Sequence, residues 1–214
     1  MVNNAGCLRD RMIFSMSEEE FDVVISVHLK GHFNYMRMVT AYWREQSKAS
    51  GAPIYGRIIN TASEAFLFGS VGQPNYAAAK GGILTLTLNQ AAELGRYGIT
   101  ANAVAPQGRT GMTEKVFAEM MKPPEDGSFD VFDPANVAPL VGYLSSPQAG
   151  KISGEVFVVW GNQVQILQRP TLTEAFANPA GEPKWDVDAL HESLASHYDD
   201  NYVPVWGGYS VPPM

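Results

Sequence analysis

Three short apolar runs constrain this chain most: "GRIINTAS" (Gly56 to Ser63), "YGITANAVAP" (Tyr97 to Pro106) and "GEVFVVWG" (Gly154 to Gly161). Each is rich in β-branched residues, bounded by Gly or Pro, and too short for a helix, so each reads as a strand buried on both faces. The spans between them carry helical signals. An Ala- and Leu-rich stretch fills about Asn75 to Leu94, and another helix is expected from Pro134 to Leu144. Strands separated by helical crossovers run parallel, because a hairpin turn cannot join them. The expected fold is therefore α/β, a doubly wound parallel sheet with helices on both faces.

The N-terminal third extends this pattern. "NNAG", Asn3 to Gly6, follows what reads as the stub of a further strand. Ser17 before Glu18, Glu19 and Glu20 is a helix start: a capping hydroxyl with carboxylates at the positive end of the helix. Phe21, Ile25, His28, His32, Tyr35, Val39 and Tyr42 then recur at helical spacing as a candidate core stripe. From Asn162 onward prolines, acidic residues and aromatics replace the regular pattern. The chain is thus expected to divide into a sheet domain (1–161) and an irregular C-terminal extension (162–214) with a short helix near Val187 to Tyr198. Trp185, Tyr198, Tyr202, Trp206 and Tyr209 make that extension a candidate oligomerisation arm or active-site cover.

Composition narrows the partners. A net charge of -7 disfavours nucleic acid and anionic membrane surfaces. One cysteine, Cys7, allows no internal disulfide, and no apolar run approaches the roughly 18 residues that span a bilayer. These features suit a soluble, cytoplasmic protein.

Chemistry concentrates in "QPNYAAAKGG", Gln73 to Gly82. Tyr76 and Lys80 stand four apart and share a helix face. A phenol, with a pKa near ~10, is a poor acid or base at neutral pH, and a neighbouring ammonium favours its anion. The pair suits proton transfer to or from a carbonyl or alcohol oxygen; by itself it is weak evidence, and a solvated helix face accounts for it better. Ser63 closes the strand thirteen residues earlier, where a hydroxyl could hold a reacting oxygen, and "VAP" closes the next strand at the same edge. A metal site is not expected: His28 and His32 lack a third ligand at suitable spacing.

In this order "NNAG", "NTAS", "YAAAK" and "VAPQG" resemble the short-chain dehydrogenase/reductase family over about Met1 to Trp160. "NNAGCLRDR", "VHLKGHF", "GQPNYAAAK" and "APQGRTGMT" are most similar to the (3R)-hydroxyacyl-CoA dehydrogenase domain of multifunctional enzyme type 2. The resemblance implies a Rossmann-like domain that interconverts a secondary alcohol and a ketone with NAD or NADP. The implied substrates are 3-hydroxyacyl-CoA or steroid-like alcohols. Tyr76 would be the general acid/base, Lys80 would tune it and bind the nicotinamide ribose, and Ser63 would hold the substrate oxygen. Asn4, Ala5, Gly6, Pro106 and Thr110 would line the cofactor. His28 stands where many members have asparagine, and its backbone carbonyl would hold a water linked to Lys80. The helix bearing Ala77, Ala78, Gly81 and Gly82 would pair subunits in a homodimer or homotetramer.

The likeness begins where the family's fourth strand ends. The Gly-rich strand–turn–helix that cradles pyrophosphate in such folds has no counterpart in this sequence. A fold lacking its first β-α-β-α-β half is expected, with an open sheet edge and weakened cofactor affinity. A truncated, non-catalytic member that oligomerises without binding dinucleotide is the competing expectation.

Overall fold

The computed structural model describes residues 1–67, 69–113, 119, 121–172 and 174–201. Two compact units divide the chain, Met1–Leu167 and Gln168–Met214.

The first unit is built on a five-stranded sheet: β1 (Val2–Asn3), β2 (Gly56–Thr61), β3 (Ile99–Gln107), β4 (Val156–Trp160) and β5 (Gln163–Ile166), in that spatial order. β1 to β4 are parallel, with Val2 opposite Ile59, Ile58 opposite Ala101 and Val104 opposite Phe157. Alternation along each strand sends side chains to two helical layers. On one face Val104, Phe157 and Val159 pack with Leu144 of α4 (Ala138–Ser145). On the other Ala103, Ala105, Val156 and Val158 meet Leu84 of α3 (Pro74–Leu94). Small residues of β3 let α3 lie close, while burying a side chain such as Leu144 contributes roughly 1.5–3 kcal/mol. This is the doubly wound parallel arrangement that the alternating runs predict.

α1 (Glu18–Ile25) begins with a complete capping box: Glu20 N–H donates to Ser17 Oγ, and Ser17 N–H donates to the Glu20 carboxylate. It continues through a π turn, Ser26–Lys30, into α2 (Gly31–Ser50), which ends at left-handed Gly51. The stripe read as core divides here. His28 and His32 are buried, whereas Tyr35 and Tyr42 are exposed, because they lie along a groove beside β1 that the described residues do not fill. β5 is a second departure: residues expected to be irregular turn at left-handed Gly161 and pair antiparallel with β4. Glu64 is buried in the 3₁₀ turn Glu64–Phe66 that follows Ser63.

In the second unit Asp186 caps α5 (Val187–Asn201) through the Ala189 N–H, and Glu174 pairs with His197 at 3.1 Å. Of the aromatics expected to form an arm, Tyr202, Trp206 and Tyr209 lie outside the described residues. Among the described residues no helix is long and apolar enough to cross a membrane.

Candidate active site

Parallel strands end together at one edge, and the loops leaving that edge enclose a cavity of about 490 Å³. Asn4, Ala5 and Gly6 enter it from β1, Ser63 from β2, and Pro106 and Thr110 from β3 and the segment after it. α3 contributes Tyr76 and Lys80 one turn apart, and the π turn contributes His28. All nine residues singled out in the sequence line this cavity.

Lys80 is 2% exposed, and its ammonium donates to the Thr61 carbonyl at 2.7 Å. Burial lowers its pKa to about 8. Nζ lies 5.4 Å from the centre of the Tyr76 ring. Burial also pushes the Tyr76 phenol above its ordinary value; the Ser63 hydroxyl opposes this and the Asp10 carboxylate adds to it. In this state desolvation, rather than the lysine charge anticipated from the motif, sets the direction.

His28 is 1% exposed, with its ring edge-on to Tyr76 at 5.1 Å. Its Nε2 lies 3.0 Å from the Cys7 N and 2.9 Å from the Cys7 carbonyl, which ties the ring to the segment after β1. Gly6 is required there, since a Cβ would stand 2.7 Å from His28 Cε1. The His28 carbonyl accepts a hydrogen bond from His32 Nδ1 at 2.7 Å, so His32 carries its proton on Nδ1. Burial, and then the charge of Lys80, hold both imidazoles down at about 4. Both rings are neutral at physiological pH. Among the described residues no group of three or more His, Cys, Asp or Glu is placed to hold a metal.

These residues fit one end of a nicotinamide dinucleotide. An ammonium has three donors, and Thr61 takes one of those on Lys80, leaving donors for a ribose diol. The Gly6 backbone, closely packed under His28, supplies a flat wall.

One residue of the site escaped the sequence reading. Asn75, directly before the tyrosine, is fully buried, with three hydrogen bonds reaching across three segments. The small residues of α3 also serve a purpose inside the chain. A Cβ on Gly82 would stand 2.9 Å from Leu29 Cδ1, so this glycine admits the π turn.

Comparison with known proteins places this geometry. A profile of the short chain dehydrogenase family matches residues 1–121. Over 199 residues the chain is 47% identical to hydroxyacyl-CoA dehydrogenase ChsB1 of Mycobacterium tuberculosis, covering 92% of this chain and 62% of that protein. A short chain dehydrogenase from Mycobacterium avium superposes with a TM-score of 0.80 at 48% identity, covering 95% of this chain and 65% of the other. Full-length peroxisomal multifunctional enzyme type 2 of Drosophila melanogaster gives 0.71 at 26% identity, covering 99% and 35%. The chain therefore spans less than two thirds of the length of each of these relatives. In sequence and in fold it belongs to the short-chain dehydrogenase/reductase family, with a likeness to the (3R)-hydroxyacyl-CoA dehydrogenases of multifunctional enzyme type 2.

Proposed function

We propose that the chain carries the catalytic portion of an oxidoreductase that interconverts a secondary alcohol and a ketone with NAD or NADP. Its favoured substrate is a 3-hydroxyacyl-CoA, and a steroid-like alcohol is the other. The observation that carries the reading is the convergence of Ser63, Tyr76 and Lys80 on one cavity at the carboxyl edge of the sheet. The name of the mycobacterial relative supports the acyl-CoA substrate class.

Tyr76 gives a proton to the carbonyl oxygen during reduction and takes it back during oxidation. Ser63 donates a hydrogen bond to that oxygen and so favours the charge that develops on it. Lys80, buried with its charge close to the phenol, stabilises the phenolate once the proton has left and binds the ribose diol. A nicotinamide bound in this cavity would supply or accept the hydride. His28 stays neutral, forms the wall behind Tyr76, and leaves Lys80 as the cation at the cavity floor. Asn4, Ala5, Gly6, Pro106 and Thr110 line the cofactor, and the domain works within a homodimer or homotetramer.

Turnover of a 3-hydroxyacyl-CoA, read as reduced nicotinamide, tests the assignment. Tyr76→Phe is expected to lower kcat by about 100-fold or more with the melting temperature held. Turnover equal to that of the unaltered protein in the Phe variant would remove Tyr76 from the mechanism.

A further inference from the structure

We propose that Asn75 is the positioning residue for Tyr76: its carboxamide fixes the first turn of α3 against the segment after β1 and against α1, and so sets where the phenol stands. The inference rests on the reading of Tyr76 as the acid/base.

The start of α3 lacks an ordinary cap. Gln73 sits at φ -125°, ψ 42° with no side-chain capping bond, and Pro74 has no N–H to offer. Tyr76 N–H is one of the first-turn donors that a helix leaves without a partner. Asn75 Oδ1 accepts it at 2.7 Å. Its Nδ2 donates to the Arg9 carbonyl and the Glu20 carbonyl, each at 3.0 Å. One acceptor facing an N–H and two donors facing carbonyls fix which way round the amide lies. With 0% exposure, water cannot replace these bonds.

This arrangement reaches the phenol through its neighbours. Tyr76 is faced by Lys80 from its own helix, by His28 from the π turn, by Ser63 from the loop after β2, and by Asp10 from the segment after β1. Asn75 anchors that last segment at Arg9. Gln73 Nε2 holds Asp10 Oδ2 at 3.1 Å, and Arg11 N–H donates to the Gly72 carbonyl at 2.7 Å. Without the carboxamide, the tyrosine backbone loses its cap and the Asp10 carboxylate loses one of its restraints together.

Three readouts test this. In the unaltered protein, the Tyr76 amide should exchange with deuterium about 100-fold or more slowly than an open chain, despite its first-turn position. An unprotected Tyr76 amide overturns the proposal, whatever the variants show. In Asn75→Ala, kcat should fall at least about tenfold while the cofactor KM changes less than about threefold. Asn89→Ala, at an exposed asparagine of the same helix, should match the unaltered protein. A folded Asn75→Ala with unchanged kcat sinks the idea. The third readout needs no turnover: with tyrosine labelled at 13Cζ and Tyr76→Phe as the assignment, the Tyr76 midpoint should move by about half a pH unit or more in Asn75→Ala. An unmoved midpoint overturns the positioning role. Absence of turnover in the unaltered protein fails the proposed reaction instead and leaves this readout standing.

Discussion

The two flanks of β1 are built by opposite rules. Toward the carboxyl edge, polar groups are buried and tied: Lys80 to Thr61, His28 to Cys7, and Asn75 to Arg9, Glu20 and Tyr76. Toward α2, a groove of about 600 Å³ runs past Val2, Val27, Tyr35, Met38, Val39 and Tyr42, and its lining is mostly apolar. Asn4 and Ala5 border both spaces. The first flank takes its order from bonds that residues 1–113 make among themselves. The second leaves apolar side chains exposed along a sheet edge, which is the arrangement of a surface awaiting cover. Among the described residues, the side chains of Lys80, His28 and Asn75 are thus held in place without any bond to the residues of the apolar groove beside α2.

Acid should act hardest where the two imidazoles are buried, His28 beside the cavity and His32 beneath the groove. His28 and His32 have pKa values lowered from 6.5 to about 4, so between those values the unfolded chain binds protons that the native state refuses. Their contribution is complete above pH ~6.5 and is lost as pH falls toward ~4, on the order of 3 kcal/mol for each ring. Melting temperature followed from pH 7 to pH 4 should drop steeply, and His32→Gln should flatten the slope. An equal slope in that variant would show that His32 does not govern acid stability.

Gly6→Ala comes next in size. The new methyl would stand 2.7 Å from a ring held by Cys7 and unable to retreat, and overpacking of this kind costs about 1–3 kcal/mol. Denaturant midpoints would measure it, and a neutral result would mean that the wall between Gly6 and His28 is soft. The groove should respond least. Met38→Ser combined with Tyr42→Ser, at positions 67% and 61% exposed, should leave stability within about 0.5 kcal/mol while reducing self-association. A large loss of stability there would erase the distinction between the flanks.

Much of the ordered flank was legible in the sequence because its signals are local or strictly spaced. Ser17 and Glu20 announce a helix start within four residues, the β-branched runs announce strands, and Tyr76 and Lys80 share a face by helical period. What stayed hidden depends on distant partners. Asn75 meets Arg9 and Glu20 across separations of 66 and 55 residues. Only its type, a capping residue beside an uncapped helix start, hinted at a role. The π turn at Ser26–Lys30 has no local signature, so nothing in "SVHLK" showed that His28 would face the tyrosine. Tyr35 and Tyr42 carry the right period for a core, but burial also needs a neighbour, and periodicity cannot supply one.

The proposed reaction requires the cavity to hold a nicotinamide cofactor. Titration with NADH and with NADPH, followed by nicotinamide fluorescence, measures that directly. Saturable binding of at least one is predicted, retained in Tyr76→Phe and weakened at least about tenfold in Lys80→Met, because the buried ammonium is the donor assigned to the ribose. No binding of either dinucleotide up to millimolar concentration would contradict it.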